Sequence, residues 1–343
     1  MVTLREVADY VGIDVGTVSR VLNGKDREAR ISRKRATLIR RVAGELGYTP
    51  NTAARAISTG RFGCLALLLA TDRRLSDLPG SVLDSIQAEM GDNDLHLIVA
   101  ALPDQKLTSD GYVPKILREL MADGLIINYS HHIPDQMVDL IQRHGIPSVW
   151  MNSRMEADCV YYDDLAASRR ATKYLGSLGH RRIAYVDCVT GAEELENAHH
   201  STLDRCAGYT DAMRSMGLAP MVIRGSERIP SQHRAAFLKQ LLGRPDRPTA
   251  LVTYSDGEAI PAYVAAAEMG LRVPEQLSLV TFAGSSSGVV GKRLTTCCLP
   301  YGEMGAAAVR TMLQKLQNRS HRLPPRVLAL EFDAGETCAP PGD

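Results

Sequence analysis

The sequence predicts a small N-terminal all-α unit with a helix-turn-helix, followed by a larger α/β part with parallel sheets. Apolar residues recur at helical spacing through residues 3–46, whereas after residue 61 short apolar runs alternate with amphipathic stretches. The charge divides in the same way. Residues 1–60 carry 11 Lys and Arg against 6 Asp and Glu, although the chain of 343 residues has a net charge of only +1. A basic end on a near-neutral chain indicates a polyanionic partner.

Three helices are predicted in the N-terminal unit. Thr3 is a favourable N-cap, and Glu6 completes a capping box with it. Gly12 can take the left-handed conformation that ends a helix, and Asp14 is a good N-cap for a short second helix. A third helix spans about residues 32–46. Two short helices joined by a glycine-containing turn form a helix-turn-helix, whose second helix can enter the major groove of DNA.

The larger part alternates predicted strands with predicted helices. Seven apolar runs predict strands at residues 64–70, 96–101, 124–128, 147–151, 182–186, 250–253 and 277–282. Helical patterns lie at residues 80–91, 112–122, 134–144, 164–178, 202–216, 232–242 and 256–269. This alternation is typical of βαβ units, and about 280 residues is more than one sheet usually serves, so we expect two lobes with a cleft between them. Ligands of open parallel sheets bind at the carboxyl ends of the strands.

Composition argues against a membrane or secreted protein. The apolar run at residues 64–70 is far shorter than the ~20 residues that span a bilayer. Residues 1–60 lack the apolar segment of a signal peptide. The seven cysteines include no C-x-x-C pair, and an odd number of cysteines cannot all pair in disulfides. Both features are expected of reduced thiols. We therefore expect a cytoplasmic protein that does not contact membranes.

An enzyme would have to use pairs of adjacent residues, namely Asp163–Asp164, His131–His132, His199–His200 or Cys297–Cys298. Adjacent residues do not share a helix face and point to opposite faces of a strand, so neither histidine pair makes a good metal site alone. No H-E-x-x-H, G-x-S-x-G or Walker sequence is present. We predict no catalytic residues, no metal and no cofactor.

Two strings in the N-terminal unit resemble the DNA-binding headpiece of the lactose-repressor (LacI/GalR) family. They are T-L-R-E-V-A … G-I-D-V-G-T-V-S-R-V-L-N-G and E-L-G-Y-T-P-N-T-A-A-R-A-I, within residues 3–60. The resemblance continues more weakly through G-L-I-I-N-Y, Y-Y-D-D, R-C-A-G-Y and A-A-A-E-M-G-L-R-V-P-E-Q-L-S-L-V-T-F. It implies a transcriptional repressor with a headpiece (1–49), a hinge helix and linker (50–61), and a two-lobed periplasmic-binding-protein type I-like effector domain (62–343).

The resemblance also implies that the two lobes are discontinuous in sequence. Lobe 1 is expected at about residues 62–161 and 292–324, and lobe 2 at about 162–291 and 325–343. A periplasmic solute-binding protein would share this fold, but it would need a signal sequence and would lack the N-terminal unit. The last ten residues, A-G-E-T-C-A-P-P-G-D, hold no heptad repeat, so a homodimer is favoured over a tetramer built from a tail.

The partner implied for the N-terminal unit is a double-stranded, pseudo-palindromic DNA operator. The resemblance assigns its contacts to Leu4, Val15, Gly16, Thr17, Ser19, Arg20, Asn23, Tyr48, Asn51, Ala54 and Ile57. Arg20 can reach a phosphate or guanine, and Ile57 stands where the family usually has a leucine wedge in the minor groove. Asp14 departs from the family's serine, and its charge is unfavourable near phosphate.

The partner implied for the cleft is a small-molecule effector. The resemblance assigns its contacts to Asn128, Asn152, Tyr162, Asp163, Arg205, Ser255, Asp256 and Ala283. Asn152 and Ala283 lack carboxylates that are common in the family, whereas Arg205 keeps a cation. We expect an anionic sugar derivative, such as a sugar acid or sugar phosphate, unless Asp163 and Asp256 face it rather than cap helices. The alternative is a regulator without a small-molecule effector, controlled by a protein partner or constitutive.

Overall fold

The computed structural model describes residues 2–24, 29–49, 61–71, 76–102, 122–129, 133–286 and 291–342. The chain divides into two compact units, Met1–Gly63 (the N-terminal unit) and Cys64–Asp343 (the large unit). The predicted hinge helix, with Asn51, Ala54 and Ile57, lies outside the described residues. The same holds for the His131–His132 pair and for nearly all of the helix predicted over 112–122.

Helices in the described part of the N-terminal unit are α1 (Leu4–Val11), α2 (Val15–Leu22) and α3 (Arg33–Glu45). Thr3 and Glu6 form the predicted capping box, and Gly12 has a left-handed φ of 65°. The core consists of apolar residues from all three helices: Val7, Ala8, Val18, Val21, Ala36, Ile39 and Ala43. The helical spacing of apolar residues therefore produced one shared core, which fixes the angle between α1 and α2.

The large unit contains two six-stranded sheets within its described residues. In chain order the strands are β1 (Cys64–Ala70), β2 (His96–Leu102), β3 (Gly124–Asn128), β4 (Ser148–Met151), β5 (Cys159–Tyr162), β6 (Ile183–Asp187), β7 (Met221–Arg224), β8 (Ala250–Thr253), β9 (Ser278–Ala283), β10 (Thr295–Cys298), β11 (Arg326–Leu328) and β12 (Glu331–Asp333). The first sheet has the order β11-β5-β4-β3-β1-β2, and the second has the order β12-β10-β9-β8-β6-β7. All pairings are parallel except that of β12 with β10.

Helices pack on both sheets to form two lobes. In chain order they are α4 (Gly80–Asp92), α5 (Asp135–Arg143), α6 (Asp164–Ser177), α7 (His200–Ser215), α8 (Ser231–Leu242), α9 (Asp256–Glu268) and α10 (Tyr301–Gln317). Lobe 1 combines the first sheet with α4, α5 and α10, and lobe 2 combines the second sheet with α6 to α9. No helix in the described residues is long and apolar enough to cross a membrane.

The strand pairing corrects the predicted lobe boundaries at two strands. β10 was expected in lobe 1, but it pairs with β9 and β12 in the second sheet. β11 was expected in lobe 2, but it pairs with β5 in the first sheet. After β10, the chain therefore returns to lobe 1 with α10, and it leaves lobe 1 again between β11 and β12. In a strand of three or four residues, the sequence pattern is too short to indicate which strand it pairs with. Only the observed pairing therefore shows the lobe to which such a strand belongs.

Candidate nucleic-acid interface and ligand cleft

The first turn of α2 is exposed and has an unusual acidic cap. Oδ1 of Asp14 accepts the backbone N–H of Thr17 at 2.8 Å. Val15 is 39% exposed, and Gly16 is also exposed. A Cβ on Gly16 would lie 3.1 Å from Oδ1 of Asp14, so glycine leaves this carboxylate unobstructed. Hydrogen bonds from the side chain and backbone of Thr17 lower the pKa of Asp14, so the carboxylate is ionised at neutral pH.

The other predicted DNA contacts in the described residues divide into exposed and packed groups. Arg20 and Asn23 are exposed, and Nδ2 of Asn23 donates to Oγ of Ser19 at 3.2 Å. Leu4 and Tyr48 are partly buried against the core of the N-terminal unit. Burial raises the pKa of the Tyr48 hydroxyl. Leu4 and Tyr48 thus also stabilise the fold, whereas Arg20 is held outward by α2.

In the large unit, the predicted effector residues lie where strands end. Asn128, Tyr162 and Ala283 are the last residues of β3, β5 and β9. Asn152 follows β4, and Ser255 lies two residues beyond β8. Because the carboxyl ends of parallel strands share an edge, these residues mark the cleft edges of both lobes. Contacts between the lobes at Asn152 show that the two edges face each other.

The guanidinium of Arg205 is buried and already has a carboxylate partner. Its Nε donates to Oδ1 of Asp164 at 2.7 Å, and its Nη1 donates to the main-chain oxygen of Tyr254 at 2.5 Å. The ring centres of Tyr254 and Phe282 lie 4.7 Å and 4.2 Å from the guanidinium carbon. Burial opposes the charge, but the charge and hydrogen bond of Asp164, together with the charges of Tyr254 and Tyr185, raise the pKa of Arg205 overall. Arg205 is therefore not the uncompensated cation on which the expectation of an anionic effector depended.

Two predicted effector residues act as helix caps. Oδ1 of Asp163 accepts the N–H of Ala166 at 3.0 Å at the start of α6. Oγ of Ser255 donates to Oε2 of Glu258 at 2.7 Å within the capping box of α9. Burial raises the pKa of Glu258 to about 7. These two side chains are used within lobe 2, while Asp256, the first residue of α9, remains exposed.

The two asparagines of lobe 1 have different surroundings. Asn128 is buried, and its Nδ2 donates to the main-chain oxygen of Asp77 at 2.9 Å. Asn152 has a left-handed φ of 56°, which asparagine tolerates better than most residues. Its Oδ1 is buried and accepts no hydrogen bond from the described part of the chain. Asn152 therefore stabilises a turn of the backbone, and its Oδ1 can accept a hydrogen bond from a further donor.

Tyr301, the first residue of α10, is a cleft residue that the sequence analysis missed. Its ring centre lies 6.5 Å from that of Tyr162, and a Cβ on Gly284 would overlap the Tyr301 ring. Burial raises the pKa of Tyr301 to about 12, and the charges of Asp77 and Asp256 act in the same direction. Tyr301 therefore lies among residues of both lobes. Its position three residues after β10 is the signal that identifies it, once β10 is recognised as a strand.

The residues considered for catalysis lie in surroundings that indicate structural roles. Burial raises the pKa of the Cys297 thiol to about 12, the opposite of what an activated nucleophile needs. His199 is buried at the start of α7. Across the described ranges, no group of three or more His, Cys, Asp or Glu side chains could hold a metal ion.

Comparison with known proteins identifies both parts of the chain. Residues 3–51 match the family described as bacterial regulatory proteins, lacI family, and residues 172–338 match the periplasmic binding protein-like domain. The chain thus carries a lacI-type DNA-binding domain and a periplasmic binding protein-like domain. It is 26% identical over 324 residues to the transcriptional repressor CytR of Escherichia coli K12, covering 92% of this chain and 90% of CytR. With this domain and this similarity along its length, the protein is a DNA-binding transcriptional regulator.

Two further proteins are similar along nearly the whole length of the chain. The ribose operon repressor of Haemophilus influenzae is 26% identical over 341 residues, which cover 96% of each chain. The crystal structure of the Lac repressor dimer bound to operator and the anti-inducer ONPF shares the fold, with a TM-score of 0.77 and 21% identity. That likeness covers 98% of this chain and 99% of the Lac repressor chain. The sequence-based fold class is thus confirmed for both units.

Proposed function

We propose that this lacI-family protein represses transcription by binding a pseudo-palindromic operator as a homodimer. The observation that carries the proposal is the exposed first turn of α2, which projects Val15 and Gly16 from a basic helix-turn-helix unit. Val15 can contact a thymine methyl, and Arg20 can donate to phosphate or guanine. Two copies related by a two-fold axis would match two half-sites of a palindrome.

The ligand that best fits the cleft is a small neutral carbohydrate rather than an anion. Three features support this choice. The charge of Arg205 is compensated by Asp164 at 2.7 Å, and Asp77 and Asp256 can accept hydrogen bonds from sugar hydroxyls. The ring of Tyr301 offers a flat apolar face of the kind that packs on a sugar ring. A ribose operon repressor among the relatives is consistent with a sugar.

The ligand would act by shifting the closure of the two lobes. A ligand changes DNA affinity only if it binds one closure state more tightly than the other, and the change equals that difference in affinity. A neutral sugar that bridges Asp77 of lobe 1 and Asp256 of lobe 2 favours a closed state. Coupling free energies of this kind are typically about 1–3 kcal/mol, which corresponds to a change in operator affinity of roughly 5- to 150-fold.

A ligand panel tests the proposal. Neutral sugars, sugar acids and sugar phosphates are added to the full-length protein, and the melting temperature and operator affinity are measured by thermal shift and fluorescence anisotropy. We expect a neutral sugar to raise the melting temperature and to change the dissociation constant for DNA. Binding of anionic sugars alone would contradict the neutral ligand. If no compound acts while operator binding is intact, the regulator without a small-molecule effector is supported instead.

A further inference from the structure

Two polar contacts join the lobes at one edge of the cleft. Arg154, in the segment after β4 of lobe 1, reaches Asp204 on α7 of lobe 2. Its Nη1 donates to Oδ1 at 2.8 Å and to Oδ2 at 2.7 Å. The side chain of Asp204 is only 10% exposed, whereas that of Arg154 is 46% exposed. A carboxylate with so little access to water depends on this guanidinium more than a surface carboxylate would.

The second contact joins a side chain of lobe 2 to the backbone of lobe 1. Nε2 of His199 lies 2.7 Å from the main-chain oxygen of Asn152, so this nitrogen must carry the proton. Nδ1 of the same ring is 2.7 Å from Oγ of Ser201 and accepts the Ser201 backbone N–H at 3.3 Å. The left-handed turn at Asn152 directs its carbonyl group to His199. Both lobes are therefore shaped locally for this bond.

The contacts are anchored on each side by rigid neighbours. Oγ of Ser201 is 2.9 Å from the hydroxyl of Tyr254, next to β8 of lobe 2. On the lobe 1 side, the N–H of Asn152 donates to the main-chain oxygen of Val160 on β5 at 2.8 Å. A shift of one lobe relative to the other would therefore stretch the His199–Asn152 contact, and it would pull on the Arg154–Asp204 ion pair at the same edge of the cleft.

We propose that Asn152, Arg154, His199 and Asp204 form an interlobe latch that sets how far the cleft opens. Opening the cleft at this edge must break the Arg154–Asp204 ion pair and the His199–Asn152 hydrogen bond together. Their strength thus determines the population of the open state. The latch also holds Asn152 in place, and the buried Oδ1 of Asn152 can accept a hydrogen bond from a donor in the cleft. The latch relies on the proposed function only for the ligand in the cleft, and its test uses no ligand.

Hydrogen–deuterium exchange of the full-length protein tests the ion pair. Arg154→Gln and Asp204→Asn each remove one charge, and the matched control is Asp211→Asn. Asp211 pairs with Arg169 at the same 2.7 Å distance, but both residues lie in lobe 2. We expect either latch variant to speed exchange about three- to tenfold in residues 152–158 of lobe 1 and 199–206 of lobe 2. The control should leave residues 152–158 unchanged.

The pattern of exchange separates a latch from a local contact. In a latch, the double variant Arg154→Gln with Asp204→Asn exchanges no faster than the faster single variant, because one opening event is affected. Faster exchange confined to the substituted lobe, additive effects in the double variant, or no change at all would overturn the proposal. Failure of the unsubstituted protein to bind any operator, with the expected exchange pattern in the variants, would instead count against the proposed function alone.

A second pair of variants tests His199 as a positioning residue. His199→Phe keeps a flat ring against His200, whose ring centre is 4.0 Å away, but removes the donor to Asn152. His199→Gln restores an N–H donor on a side chain of similar reach. We expect faster exchange in residues 152–158 for His199→Phe and partial recovery for His199→Gln. Equal exchange in the two variants would show that the hydrogen bond does not hold the lobes.

Discussion

Asp14 combines a stabilising and an opposing effect at the first turn of α2. Its carboxylate caps the helix through the N–H of Thr17, yet it places a negative charge beside the surface that we propose for DNA contact. We predict that Asp14→Asn, which keeps a good N-cap, tightens binding to a mixed-sequence duplex about two- to fivefold at 0.1 M salt. Fluorescence anisotropy measures this, with Asp9→Asn on α1 as the control. Weaker or unchanged binding for Asp14→Asn would contradict the electrostatic role.

Glu258 makes the stability of the large unit depend on pH. Burial raises its pKa from the ordinary 4.5 to about 7, so the folded state binds more protons than the unfolded state between these values. The contribution of Glu258 to stability is therefore full below pH 4.5 and is lost as the pH rises through about 7. Glu258→Gln stays neutral and can still accept the N–H of Ser255, as a capping box requires.

We predict that Glu258→Gln flattens the pH dependence of the free energy of unfolding. Relative to the unsubstituted protein, the variant should gain about 1–3 kcal/mol between pH 4.5 and pH 8. Arg234, the ion-pair partner of Glu258, keeps hydrogen bonds to the main-chain oxygens of Ile229 and Gly257. Urea titrations at several pH values measure the effect, with the exposed Glu268→Gln of α9 as control. Parallel pH profiles for both proteins would disprove a buried, titrating Glu258.

The sequence located part of the cleft but not the partners of its residues. Arg205 could be found from the string R-C-A-G-Y, and its burial agrees with a site residue. Its pairing with Asp164, 41 positions away, could not be read from the sequence, because α6 and α7 meet only in the folded lobe. The expectation of an anionic effector therefore left out the carboxylate that pairs with Arg205. Tyr301 was missed for a related reason. It lies at the cleft because the chain crosses from lobe 2 to lobe 1 just before α10.

At the scale of elements, the packing of α10 against α4 depends on a glycine. A Cβ on Gly305 would overlap the main-chain oxygen of Val82 and Oγ of Ser85. We predict that Gly305→Ala destabilises the fold by about 1–3 kcal/mol, because backbone must move to admit the methyl group. Gly302, on the same helix, has no atom within 4 Å of such a Cβ. Gly302→Ala should therefore stabilise by up to about 1 kcal/mol, and urea denaturation that ranks the two variants alike would rule out the close approach.

Seven of the twelve strands in the described residues were predictable from apolar runs in the sequence, whereas β5, β7, β10, β11 and β12 were not. The seven predicted strands all match strands of the structure within one residue at each end, since runs such as residues 64–70 are buried on both faces. The five missed strands have only three or four residues each: β5 and β10 lie inside the sheets, and β7, β11 and β12 lie half exposed at the edges. α10 was missed because its small residues, which fit against α4, weaken the amphipathic pattern.

At the scale of the whole molecule, charge is concentrated where DNA is expected. Residues 1–60 hold five more basic than acidic side chains, while the entire chain is nearly neutral. A protein that neutralises phosphates releases counterions, so its DNA affinity falls steeply with salt. We predict that Arg20→Ala weakens operator binding about five- to a hundredfold and makes the salt dependence shallower. An unchanged salt dependence would place Arg20 away from the phosphates.

We propose that two copies of the protein read a two-fold symmetric DNA site through α2. Selection of duplexes from a random pool by the full-length protein tests it most directly, with Arg20→Ala selected in parallel. We expect the unsubstituted protein to enrich a pseudo-palindrome of two half-sites, and Arg20→Ala to enrich it poorly. Enrichment of no palindrome, or equal enrichment by both proteins, would contradict the claim.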